Sequence, residues 1–94
     1  MNLRWARAAT KHRISRDRSR YVIEHCGLRF EQDPPADAPE SASLRLVFLG
    51  DDEKGIALEV MAVELENDAL LVIHAMPLRD RYRKQYEKTK KWRR

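Results

Sequence analysis

The sequence predicts an α+β domain: a small antiparallel sheet of about four strands, with two N-terminal helices and a C-terminal basic helix. Three observations point there. Between Leu44 and Ile73, apolar residues fall in short runs separated by turn-forming residues. Before them lie stretches with helical spacing and capping residues, and after Pro77 the apolar positions recur at intervals of three and four. Ninety-four residues suit one such domain, spanning 1–94, and leave no room for a second.

Taken in order, Asn2 to Trp5 reads as a short strand. Ala6 to Arg13 reads as a short helix opening on the good helix formers Ala6, Arg7, Ala8 and Ala9, with Trp5, Ala9 and His12 on one face. Ser15 is placed to cap a second helix, Arg16 to Cys26, with Asp17 in its first turn where a carboxylate suits the positive end. Gly27 is placed to end that helix in the left-handed conformation. Leu28 to Gln32 alternates like a strand. Asp33 to Ser41 holds three prolines and three acids, so it cannot continue a sheet and reads as an exposed loop. Leu44 to Leu49, Ile56 to Leu65 and Ala69 to Ile73, joined by turns at 50–55 and at Glu66-Asn67-Asp68, read as an antiparallel meander. Pro77 is expected to stop the last strand. Leu78, Tyr82, Tyr86, Thr89 and Trp92 then form the apolar stripe of a closing helix.

Charge is unevenly distributed. Residues 1–20 hold 7 Lys and Arg against 1 acid, residues 21–78 hold 3 against 12, and residues 79–94 hold 9 against 2. The segments therefore carry +6, −9 and +7, within a total of +4. If the two basic ends meet in space, they form a positive surface suited to phosphates or to an acidic protein. Cys26 is the only cysteine, which excludes an intrachain disulfide or a multi-cysteine metal site. No apolar run approaches a membrane span and the start lacks the apolar core of a secretory signal, so a cytoplasmic protein is expected. Histidines at i, i+4 spacing, an alternating calcium loop, a phosphate-cradling glycine loop and a nucleophile motif are all missing, and no metal or cofactor is expected.

The functional signal lies where the run Ala69 to Ile73 delivers His74 beside a strongly basic segment. Lys and Arg hold a polyanion, whereas imidazole does acid–base chemistry near neutral pH. A strand-end histidine can equally be a satisfied structural residue, and a basic terminal helix a solvated face. His25, at the end of the second helix, reads as structural.

Trp5, then Lys11-His12 with Ile14 and a second helix, then a meander, then Ile73-His74-Ala75 running into a Lys/Arg-rich helix with Tyr86-Glu87, resembles the BrnT-type toxins of bacterial toxin–antitoxin pairs. More broadly the chain is similar to the RelE-like ribonuclease toxins. The resemblance implies a small bacterial cytoplasmic protein that cleaves RNA, mRNA in a ribosome-associated setting included. It also implies neutralisation by a cognate acidic antitoxin, in a hetero-oligomer or alongside a homodimer, with no membrane partner. Members commonly carry an arginine two residues after the position of His74. This chain has Met76 there, so clamping of the scissile phosphate would pass to Arg79 or another side chain.

Metal-independent RNA cleavage needs a base for the 2′-hydroxyl proton, an acid for the leaving oxygen and cations for the charge building on phosphorus. His12 and His74 are the candidates for base and acid, Lys11, Arg13, Arg79 and Arg81 for phosphate contacts, and Tyr82 for an assisting proton donor. The two imidazoles would have to lie roughly 5 to 8 Å apart to span one phosphodiester. The helical spacing of Tyr82 and Tyr86 favours burial in the core over base stacking, while Trp92 stays open between the two roles. The alternative to an endoribonuclease is a non-catalytic nucleic-acid-binding module or protein-interaction domain of the same fold.

Overall fold

A computed structural model describes residues 2–38, 44–66 and 68–92 of the chain, the side chains of 89–92 excepted. Strands β1 (Asn2–Trp5), β2 (Leu28–Gln32), β3 (Arg45–Asp51), β4 (Ala57–Glu64) and β5 (Ala69–Pro77) form one sheet in the order β1-β5-β4-β3-β2. β3, β4 and β5 make the expected antiparallel meander, and β2 extends it by pairing antiparallel with β3. β1 lies parallel to β5, with Leu3 opposite Leu70. The sheet is therefore mixed and five-stranded, rather than antiparallel with about four strands. The strand expected at Asn2 to Trp5 thus joins the sheet in parallel, and the cause is simple: β5 would otherwise be an open edge, and the alternating Leu3 and Trp5 bury one face only beside it.

The first expected helix is no more than a 3-10 turn, Arg7–Thr10, and Arg13 at φ 64 breaks any continuation. Helix α1 spans Arg16–His25, and its N-cap is the expected one: Ser15 Oγ accepts from the Arg18 N–H at 3.2 Å. Its other end corrects the expectation for Gly27, which has no positive φ. Cys26 leaves the helix in an extended conformation, φ −64 and ψ 145, and the chain runs directly into β2. A 3-10 turn at Asp80–Tyr82 precedes α2 (Arg83–Trp92).

The helices lie on opposite faces of the sheet. Val22 and Ile23 of α1 pack with Leu46, Phe48, Leu58, Val60 and Val72, while Leu78, Tyr82 and Tyr86 pack with Val47, Leu49 and Met61. Because both faces are covered, β3 carries an unbroken buried run, Leu46 to Gly50, and each large apolar side chain buried there contributes roughly 1.5–3 kcal/mol. Tyr82 and Tyr86 are core residues, as their spacing predicts. Thr89 and Trp92 belong to the undescribed side chains, and Pro39 to Ser41 of the acidic loop and Asn67 of the second turn also lie outside the described residues.

β5 runs past Ile73 to Pro77. Beyond Val72 it has no strand partner on the β1 side among the described residues, so a residue lacking an N–H costs no ladder bond there. Met61 pairs with His74 but Ala62 pairs with Val72, which leaves Ile73 as an extra residue in a bulge. That bulge reverses the alternation: Val72 and Ala75 face α1, whereas His74 faces the α2 side with Met61. Among the described residues no helix is long and apolar enough to cross a membrane.

Candidate active site at the end of β5

The site is built on a carboxylate in the wrong place. Glu59 stands in the middle of β4, between Leu58 and Val60, and its side chain is completely buried. A buried carboxylate persists as an anion only if cations and N–H donors replace its water. Two elements deliver them: the bulge aims His74 across from Met61, and the turn after Pro77 brings Arg79 back over the sheet.

Glu59 Oε1 accepts from the Arg79 backbone N–H at 2.9 Å and from Nε at 3.0 Å. Oε2 accepts from Nη2 at 2.6 Å and lies 3.1 Å from His74 Nε2. Burial by itself raises the carboxyl's pKa. The hydrogen bonds from His74 and Arg79, and then the charge of Arg79, outweigh it and hold the group down at about 2. The same contact raises Arg79 above its ordinary value. An ionised carboxylate can only accept, so His74 Nε2 carries the hydrogen and Nδ1 is the nitrogen left for proton exchange.

The His12 ring meets that of His74 edge-on, with centroids 5.8 Å apart and an interplanar angle of 67°. This lies inside the span that sequence reasoning required. It arises because Ala9 and Ile14 are both anchored in the core under α1 while the short segment between them carries His12 to β5. Beside His74 opens a cleft of about 360 Å³ lined by Gln32, Asp33, Pro35, Arg45, Met61, His74, Arg79, Arg81 and Tyr82. Three of these are arginines. Arg81 stacks its guanidinium over the Tyr82 ring at 5.0 Å, and Arg79 lies 5.8 Å from the same ring.

The structure thus brings together His12, His74, Arg79, Arg81 and Tyr82. Tyr82 is 3% exposed, and its hydroxyl donates to Gln32 Oε1 at 2.7 Å, so it serves first as the cleft's floor. Lys11 and Arg13 flank His12 and are exposed, but neither lines the cleft. Met76 sits opposite Glu59 in the ladder, on the face of His74, and Arg79 is the arginine that reaches this carboxylate. His25 lies elsewhere, stacked on Tyr21 at 4.3 Å with Nδ1 3.0 Å from the Tyr21 carbonyl.

Sequence reasoning missed Glu59, Arg45 and Gln32. Glu59 had left a signal: one acid inside the apolar run Ala57 to Val63 is a charge that must be buried and paired. Arg45 and Gln32 left none, because they meet the cleft only through the pairing of β2 with β3, where they stand opposite each other. Comparison with known families, characterised proteins and solved structures found no match for this chain.

Proposed function

We propose that this chain is a metal-independent endoribonuclease, the toxin of a bacterial toxin–antitoxin pair acting on RNA in the cytoplasm. The observation that carries the reading is the pair of imidazoles, 5.8 Å apart, of which His74 lines a cleft with three arginines. Glu59 fixes the hydrogen on His74 Nε2, so Nδ1 takes the 2′-hydroxyl proton as general base. His12 delivers a proton to the leaving 5′-oxygen. Arg79, with Nε and Nη2 turned to Glu59, presents the rest of its guanidinium to the phosphate, and Arg81 and Arg45 add charge along the cleft. Lys11 and Arg13 extend the contact to neighbouring phosphates. An acidic antitoxin that covers this positive surface would silence it, and the toxin–antitoxin hetero-oligomer or a homodimer is the associated assembly.

The test is induction of the chain in a bacterial host beside His12→Ala and His74→Ala, together with cleavage of purified RNA. Growth arrest and cleavage abolished by either substitution in a folded protein support the proposal. RNA left intact by the wild type, with unimpaired growth, refutes it. A second reading, a binding module of the same fold without turnover, is favoured by Met76 at the arginine position and by the engagement of Arg79 with Glu59 and of Tyr82 with Gln32. Salt-sensitive RNA binding without cleavage would select it.

A further inference from the structure

On the face of the sheet away from the cleft, Trp5 packs against the core under α1, and two arginines of that helix cover it. The Arg16 Cζ lies 5.4 Å from the centroid of the indole and the Arg20 Cζ 5.3 Å. They are one helical turn apart, and the one ring holds two like charges. Among the described residues neither is ion-paired; the arginine of α1 that has a carboxylate is Arg18, on Asp52 at 2.8 Å. The Trp5 Nε1–H is buried without an acceptor among the described residues, so the indole has no exposed donor to offer, and its ring is already covered by the two guanidinium groups. What this place presents is therefore two guanidinium groups, pre-positioned by one aromatic ring and lacking a counter-charge. An anion that bridges them relieves their repulsion and immobilises little that is not already held.

Its position in the fold sets the partner. Arg13 and Lys11 are exposed in the segment that joins His12 to the start of α1. From there the positive track passes His12 and His74 into the cleft with Arg79 and Arg81. Cations thus lie on both sides of the His12–His74 pair, at Arg16 and Arg20, at Lys11 and Arg13, and at Arg79 and Arg81, and such a spread fits a polyphosphate strand better than a single small anion. We infer that the Trp5–Arg16–Arg20 cluster is a second backbone-binding subsite, which grips an RNA strand where it passes around the sheet edge, remote from the bond that is cut. This inference rests on the reading of the chain as a protein that acts on RNA.

The experiment measures binding of a 2′-O-methyl RNA oligonucleotide by fluorescence anisotropy over a range of salt. That RNA has no attackable hydroxyl, so binding is read without cleavage. Wild type is compared with Arg16→Gln/Arg20→Gln, with the charge-keeping pair Arg16→Lys/Arg20→Lys, and with Arg29→Gln/Lys54→Gln, which removes equal charge from exposed positions elsewhere. The first pair is expected to weaken binding about tenfold and to lower the slope of log K against log salt by about 1.4, two phosphate contacts on a single strand. The lysine pair should keep the slope, and the remote pair should change little. Equal losses in the glutamine pair and the remote pair, or none in either, overturn the inference. So does RNA affinity unchanged in the glutamine pair while that variant alone loses binding of a polyglutamate probe, which would assign the face to an acidic protein. A chain that binds RNA in this way but cleaves none refutes the proposed nuclease and leaves this subsite standing.

Discussion

Arg79 holds Glu59 with its backbone and its side chain at once: the N–H reaches Oε1 at 2.9 Å, Nε lies 3.0 Å from both oxygens, and Nη2 lies 2.6 Å from Oε2. Carboxylate and guanidinium are drawn from residues 20 apart, so the pair also ties the turn before α2 to the middle of the sheet. Because Glu59 is fully buried and the Arg79 side chain 37% exposed, the carboxylate depends on the arginine more than the arginine depends on it.

The first consequence is acid lability. The Glu59 carboxyl sits at about 2 in the folded chain against an ordinary 4.5, so its contribution is fully present above pH 4.5. It is lost as pH falls from there toward 2, a change on the order of 3 kcal/mol. Asp52, which burial raises but whose hydrogen bonds from Ile56, Arg18 and Lys54 lower on balance, acts in the same direction. Urea unfolding of wild type and Glu59→Gln at stepped pH isolates the Glu59 share. The difference in slope below pH 4.5 is the expected result, and parallel curves would mean that the carboxylate is not held as described.

Removing one partner should hurt more than removing both. Arg79→Met strands a buried anion with His74 alone and is expected to cost about 3 kcal/mol or more. Glu59→Met in the same chain should restore much of that loss, since an apolar pair of similar size asks for no hydrogen bonds. A double-mutant cycle by equilibrium denaturation reads the coupling directly.

If Glu59 orients His74 for proton transfer, its loss should appear in catalysis without unfolding the chain. Glu59→Gln keeps the volume but frees the imidazole to adopt either tautomer, and RNA cleavage should fall by about a hundredfold. His12→Ala and His74→Ala should fall further, by about 10³–10⁴. Single-turnover cleavage assays on protein with native circular dichroism would show the ordering; cleavage by Glu59→Gln at the wild-type rate would remove the carboxylate from the mechanism.

Two glycines near the β3–β4 hairpin should differ in their response to alanine. At Gly50 a Cβ would lie 3.1 Å from the Cys26 Cα, a side-chain atom pressed against backbone where α1 ends, and the expected cost is about 1–3 kcal/mol. Gly55 has open space but φ 83, so Gly55→Ala should cost about 1 kcal/mol through strain alone. For a domain of this size each kcal/mol lowers Tm by roughly 4–8 °C, and differential scanning calorimetry separates the two.

Much of the architecture is legible in the chain itself, because it follows from local chemistry. Ser15 caps α1 wherever the helix packs, Gly55 and the acids around it must turn, and Leu78, Tyr82 and Tyr86 share a face by spacing alone. His12, His74, Arg79 and Arg81 could be named from residue type and charge, without any knowledge of which would meet. What only the tertiary structure decided is orientation across the sheet. The pairing of β1 with β5 joins residues far apart in sequence, and the helices divide between two faces because both faces of β3 are apolar. A single unpaired residue, Ile73, then turns His74 to the side where Glu59 and Arg79 wait. Alternation in a strand has a period of two, so one extra residue reverses the face of everything after it, and no local property of Ile73 announces that it will be the one left over.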